Sequence, residues 1–217
     1  MPPRPGVFIA LEGGDGSGKS GALAHLGTVL GDGALLTREP GGTEEGLAIR
    51  ALLVAGGGQD WEPQAELLLI AAARAQHVAR VIYPALAAGR VVVSDRYVGS
   101  TLAYQGAGRG LAVEEIVMVH NHSTGGLWPD LTVVLDVDPA VALARGLARL
   151  RLEDSREDRF EALGLEFQRR VRRSFLDQAA AAPERHAVID ASRPIAAVQA
   201  DVVAVVRQFL GHAGACT

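Results

Sequence analysis

Short, uniformly apolar runs alternate along the chain with longer stretches whose apolar positions recur every three or four residues. Val7-Phe8-Ile9-Ala10-Leu11, Ala34-Leu35-Leu36-Thr37, Arg90 to Ser94, Leu131-Thr132-Val133-Val134-Leu135 and Ala187-Val188-Ile189 are too short for helices. Their lack of polar alternation marks strands buried on both faces. Between them the spacing is helical: Leu23, Leu26 and Leu30 within Ser20 to Leu30, then residues of about 44 to 55 and 63 to 88, with Pro84 bending or dividing the latter. Further helical segments follow residue 97, and residues 139 to about 148 form another. Phe160, Leu163, Phe167, Val171 and Phe175 make one late stripe; Ile195, Val198, Val202, Val205 and Phe209 make the last. Five strands alternating with helices predict an α/β fold, a doubly wound five-stranded parallel sheet flanked by helices. Its ligand site should lie at the carboxyl ends of the strands. The loops leaving those ends carry Gly13 to Ser20, Arg38 to Gly42 and Asp95 to Tyr97, where the polar chemistry gathers.

Length and composition narrow the class. A chain of 217 residues without repeats or a linker reads as a single domain over residues 1–217. With 48% apolar and 21% charged residues, neither disorder nor a disulfide scaffold has support. A formal charge of -4 does not favour nucleic acid as partner. No apolar run approaches a membrane span. The single cysteine, Cys216, allows no intramolecular disulfide and no cysteine-based zinc cage, which fits a reducing, cytoplasmic setting.

Of 21 cationic residues only one, Lys19, is lysine. It lies in Gly13-Gly14-Asp15-Gly16-Ser17-Gly18-Lys19-Ser20, a G-x-x-x-x-G-K-S string between a strand and a helix. Glycines let backbone N–H groups turn inward around a phosphate at the positive end of the following helix. The string therefore predicts the P-loop NTPase fold, with all eight residues binding ATP, Lys19 reaching the β- and γ-phosphates and Ser20 ligating Mg²⁺. A GTPase switch is disfavoured, because an N-K-x-D guanine motif needs a second lysine.

Beside this loop stand Thr37-Arg38-Glu39-Pro40-Gly41-Gly42-Thr43, Asp95-Arg96-Tyr97 and Ser100-Thr101-Leu102-Ala103-Tyr104-Gln105-Gly106. In that order, and on through Asp158-Arg159-Phe160-Glu161 and Val188-Ile189-Asp190-Ala191, the chain resembles bacterial thymidylate kinase. The resemblance implies Mg²⁺-dependent transfer of the ATP γ-phosphoryl group to dTMP, giving dTDP, in a homodimer. The alternative is another P-loop nucleoside monophosphate or deoxynucleoside kinase; from a different class, a regulatory protein that binds nucleotide without catalysis.

By resemblance, Arg96 contacts the dTMP phosphate, Arg74 the thymine carbonyl, Thr101 and Gln105 the polar edge of the base, and Tyr104 blocks the ribose 2′ position. Ser100 belongs to the same dTMP-binding string. Glu39 approaches the sugar or the attacking phosphate through Mg²⁺. Asp95, ending an apolar strand, holds Mg²⁺ or caps a helix, and Asp15 serves Mg²⁺ or the sugar. Residues of about 146–160 match a lid that closes over ATP. Gly16 stands where one group of these enzymes carries a loop arginine, so Arg149, Arg151 or Arg156 in the lid must supply that charge, Arg151 first among them. Two positions depart from the family: Ile70 replaces the usual stacking Phe, and Gly21 replaces a second hydroxyl. His120-Asn121-His122 reads as an exposed helix end, Arg169-Arg170-Val171-Arg172-Arg173 as a solvated helix surface and Cys216 as inert.

Overall fold

The computed structural model describes residues 5–54, 61–142, 144–145 and 163–214. Five strands, β1 (Val7–Glu12), β2 (Ala34–Arg38), β3 (Val91–Asp95), β4 (Leu131–Asp136) and β5 (His186–Asp190), form one parallel sheet in the order β2-β3-β1-β4-β5. The helices are α1 (Lys19–Leu30), α2 (Glu44–Val54), α3 (Pro63–His77), α4 (Tyr83–Ala87), α5 (Val98–Thr101), α6 (Val113–Thr124), α7 (Gly164–Ala181) and α8 (Ile195–Gly214).

Alternation along β1 divides the core. Ile9 and Leu11 face α1 and α8, packing with Leu26, Val93, Val133, Val202 and Val206. Phe8 and Ala10 face the other layer, with Val78, Ile82, Leu86, Val92 and Tyr97. Both faces are thus covered, as the uniformly apolar strands predict. A third cluster joins Tyr104 to Phe167, Val171 and Phe175 of α7, beside Val134.

The structure refines two of the expected helical stretches. The stretch 63–88 is divided near Pro84, as expected: between α3 and α4 the chain widens into a π-helical turn over Val78–Ile82, where the Tyr83 N–H donates to the Val78 carbonyl. Pro84 directly follows, and its missing N–H loosens the ladder there. Ile195, placed on the last helix's apolar stripe, is 75% exposed, while Val206 is fully buried. The buried contact of α8 is carried by Val198, Val202 and Val206, with Val205 and Phe209 partly buried against the same cluster. Phe160 lies outside the described residues.

Every strand ends on a charged residue: Glu12, Arg38, Asp95, Asp136 and Asp190. In register, Leu11 pairs with Asp95 and Asp95 with Arg38. The loops after β1, β2 and β3 therefore emerge side by side at the carboxyl end of the sheet.

Candidate active site

The loop after β1 is shaped by glycines at two steps that a side chain would block. Gly13 has φ +135°, and a Cβ there would fall 2.5 Å from the Leu135 carbonyl oxygen. Gly18, at φ +95°, opens α1 from the left-handed region. Lys19 Nζ folds back and donates to the Gly13 carbonyl (3.0 Å), the Gly14 carbonyl (2.7 Å) and Ser17 Oγ (3.3 Å). Burial, with Arg96 nearby, pushes the ammonium down to about 8 against the opposing pull of Asp95, Asp15 and Glu12. Ser20 Oγ donates to Asp95 Oδ2 at 2.9 Å. Asp95 Oδ1 is buried without a hydrogen-bond partner. An unpaired carboxylate oxygen beside a hydroxyl is a hard oxygen donor set, which suits Mg²⁺ better than a softer metal. The helix-cap alternative for Asp95 finds no support: the helix that follows is held by Glu12.

Arg96 is the one non-glycine residue with positive φ among those described, at +71°. Three anchors hold its strained backbone. Its N–H donates to the Leu11 carbonyl (2.9 Å), its carbonyl accepts from Ser94 Oγ (2.7 Å), and buried Glu12 gathers the following turn. Glu12 accepts from the Tyr97 N–H (2.9 Å), the Ser100 N–H (3.0 Å) and Ser100 Oγ (2.6 Å). Burial pushes the Glu12 carboxyl above its usual value despite those bonds and the Arg96 charge. The turn aims the Arg96 guanidinium at Gly13 O (3.2 Å), Ser100 Oγ (2.8 Å), Asp15 Oδ1 (2.6 Å) and Tyr104 Oη (3.2 Å). The Tyr104 hydroxyl donates to Asp15 Oδ2 at 2.7 Å. Burial would raise the Asp15 carboxyl, but Arg96, Lys19 and these hydrogen bonds bring it down to about 2. Burial and Asp15 hold the Tyr104 hydroxyl well above its usual value, so it remains a donor.

A second polar cluster lies between α3 and the turn after α5. Arg74 donates through Nε to Glu39 Oε2 (2.7 Å) and through Nη2 to Thr101 Oγ1 (2.9 Å). The other Glu39 oxygen meets His77 Nδ1 at 2.9 Å, and His77 Nε2 lies 2.6 Å from Thr37 Oγ1. Burial would raise the Glu39 carboxyl; Arg74 and His77 lower it below its usual value. Two turns earlier on α3, Glu66 accepts from Gln105 Nε2 (2.7 Å) and Arg109 Nη2 (3.1 Å). Ile70, half-buried, lies between Glu66 and Arg74 along α3.

The fold thus gathers Gly13 to Ser20, Glu39, Arg74, Asp95, Arg96, Ser100, Thr101, Tyr104 and Gln105 at the carboxyl end of the sheet. Arg149, Arg151 and Arg156, and the lid of 146–160, lie outside the described residues. Glu12, Glu66 and His77 are site residues that sequence reasoning missed. Glu66 had a signal, since 66, 70 and 74 share one helical face. His120 corrects an expectation: it is no exposed helix end but is 2% exposed, its ring bonded to the Leu127 carbonyl (3.0 Å) and edge-on to Tyr97 and Trp128. Tyr97 reaches the ring from the loop after β3, while Leu127 and Trp128 lie just beyond the end of α6. In the basic run on α7, Val171 is buried as expected, while Arg172 is tied to Asp136 (2.7 Å).

Residues 11–202 match the family model described as thymidylate kinase. The thymidylate kinase of Cereibacter sphaeroides is 58% identical over 212 residues, spanning 96% of this chain and 97% of that protein. That of Pseudomonas fluorescens is 48% identical over 211 residues, spanning 96% and 98%. The crystal structure of thymidylate kinase from Ehrlichia chaffeensis superposes with a TM-score of 0.73 at 32% identity, covering 93% of this chain and 98% of that one. Sequence along nearly the whole chain and the architecture of the sheet agree, and the chain belongs to the thymidylate kinase family.

Proposed function

We propose that the chain transfers the γ-phosphoryl group of ATP to dTMP, giving dTDP and ADP. The observation that carries this reading is the Arg96 guanidinium, which reaches the phosphate loop at Gly13 and, on its other side, Asp15 and Tyr104. An acceptor phosphate held there lies next to the loop that grips the donor. In phosphoryl transfer, positioning and charge neutralisation do most of the work. Lys19 and the loop N–H groups hold the ATP phosphates, and Arg96 orients the dTMP phosphate. Asp15 and Tyr104 define the sugar side, while Arg74, Thr101 and Gln105 read the base, with Ile70 as an aliphatic wall in place of a stacking ring. Ser20 and Asp95 would hold Mg²⁺, with Asp15, in the same loop as Ser20, as the further candidate ligand. The ion neutralises charge on the β- and γ-phosphate oxygens when bound.

We further infer a single domain whose lid, about 146–160, brings Arg149, Arg151 or Arg156 to the transferring group. A homodimer is supported by exposed Leu47 and Leu52 on α2, Leu68 on α3, and Val113 and Met118 on α6, an apolar surface uncommon on a lone subunit. No described helix is long and apolar enough to cross a membrane. A cytoplasmic location fits ATP and dTMP as substrates. The direct test is formation of dTDP and ADP from Mg²⁺-ATP and dTMP; absence of product with correctly folded protein would refute the reading.

A further inference from the structure

Two ladders of three residues, each spaced four positions apart, face one another across the base-reading region. On α3 stand Glu66, Ile70 and Arg74; on the opposing segment stand Thr101, Gln105 and Arg109. Arg74 meets Thr101 at one end (2.9 Å) and Glu66 meets Gln105 at the other (2.7 Å), with Ile70 between. Glu66 is fully buried, and its two carboxylate oxygens are divided: Oε1 takes Gln105 Nε2 and Oε2 takes Arg109 Nη2.

We propose that Glu66 is a positioning residue that fixes which end of the Gln105 amide is offered to the base. This inference rests on the dTMP reading above. A carboxylate only accepts, so it claims the amide NH₂ and leaves the Gln105 carbonyl oxygen as the group free to meet a ligand. Arg109, which only donates, cannot compete for that NH₂ and instead holds the second carboxylate oxygen in place. An outward-facing acceptor suits a base that carries N3–H, as thymine and uracil do. It opposes cytosine, whose N3 is itself an acceptor. Selection between pyrimidines is then set by a residue that itself stands behind the reading amide.

The polarity of this network can be reversed. In Glu66→Gln, Arg109 claims the new amide's oxygen, so its NH₂ turns toward Gln105 and captures the Gln105 carbonyl. The Gln105 NH₂ then faces the base. Adding Gln105→Glu restores an acceptor on that face while keeping the number of charges. The experiment compares kcat/KM for dTMP, dUMP and dCMP, with the KM for ATP measured alongside. Glu66→Gln should lower the dTMP to dCMP preference about tenfold, the scale of one mispaired buried hydrogen bond. The dTMP to dUMP ratio should stay unchanged, because both bases carry N3–H. The exchanged pair Glu66→Gln with Gln105→Glu should recover most of the lost preference. Equal loss on all three nucleotides, or no recovery in the exchanged pair, overturns the proposal. Should Glu66→Gln fail to fold, the exchanged pair decides alone: retained dTMP preference supports the proposal, and its loss with an unchanged ATP KM overturns it. A wild-type protein that prefers a different monophosphate would instead refute the dTMP reading itself.

Discussion

Arg96 Nη2 lies 2.6 Å from Asp15 Oδ1, an ion pair that joins the loop after β3 to the loop after β1 and aims both at one point. The pair is partly buried, so salt screens it less than a surface bridge, and the Tyr104 hydroxyl completes it from the other Asp15 oxygen. In the proposed reaction the donor and acceptor phosphates would meet beside this contact.

Removing the Tyr104 hydroxyl leaves Asp15 Oδ2 without that donor and loosens the sugar side of the site. Tyr104→Phe should narrow the preference for dTMP over UMP by about tenfold, the scale of a hydrogen bond to a charged group. Ratios of kcat/KM measure it; an unchanged ratio removes Tyr104 from discrimination at the 2′ position.

Glu39 and Arg74 are both about 4% exposed at their side chains. Glu39→Gln leaves the Arg74 charge buried without its counter-ion, which costs about 3 kcal/mol or more. Thermal unfolding should shift down by roughly 10 °C for a chain of this size. The KM for dTMP should rise with it, because Arg74 loses the partner that fixes its Nε. A variant with wild-type melting would show that the pair is not holding Arg74.

His120 gives an acid-sensitivity. Burial, then the Arg74 charge, pushes its imidazolium down to about 4 from an ordinary 6.5. The unfolded ring takes up a proton below pH 6.5 and the folded ring only near 4. Stability from this group is therefore complete above pH 6.5 and is lost as the pH falls to 4, by up to about 3 kcal/mol. His120→Gln keeps a donor for the Leu127 carbonyl but cannot titrate. Chemical denaturation at pH 7 and pH 4.5 should show a smaller difference in the variant; an equal difference would assign the acid loss elsewhere.

Much of this organisation was legible in the chain. Uniformly apolar strands can be recognised because both of their faces are buried, and the Gly13 to Ser20 string because its backbone geometry needs those residues. The residues that hold the site were harder to find. Glu12 acts on Tyr97 and Ser100 across 85 and 88 positions, and His77 on Glu39 across 38. A lone acid or histidine on a helix or strand gives no local signal of a partner that only the sheet order brings near. His120 differs in kind: its partner Leu127 is only seven positions on, but it lies past the end of α6, where helical spacing no longer says which groups face the ring.

The arginines of the proposed lid are the candidates for the charge that Gly16 lacks. Among Arg149→Ala, Arg151→Ala and Arg156→Ala, one variant should lose about 10³-fold in kcat with little change in the KM for dTMP. Normal kcat in all three would mean that the charge on the transferring group comes from Lys19, Arg96 and the metal alone.

The most direct test of the central claim is product formation from Mg²⁺-ATP with dTMP, dUMP, UMP, dCMP, AMP and GMP offered separately, alongside Lys19→Ala. The account predicts strong preference for dTMP, abolished with Lys19, and a pocket in which Ile70 suffices without a stacking ring. Preferential turnover of another monophosphate, or dTDP formation that survives the loss of Lys19, would contradict it.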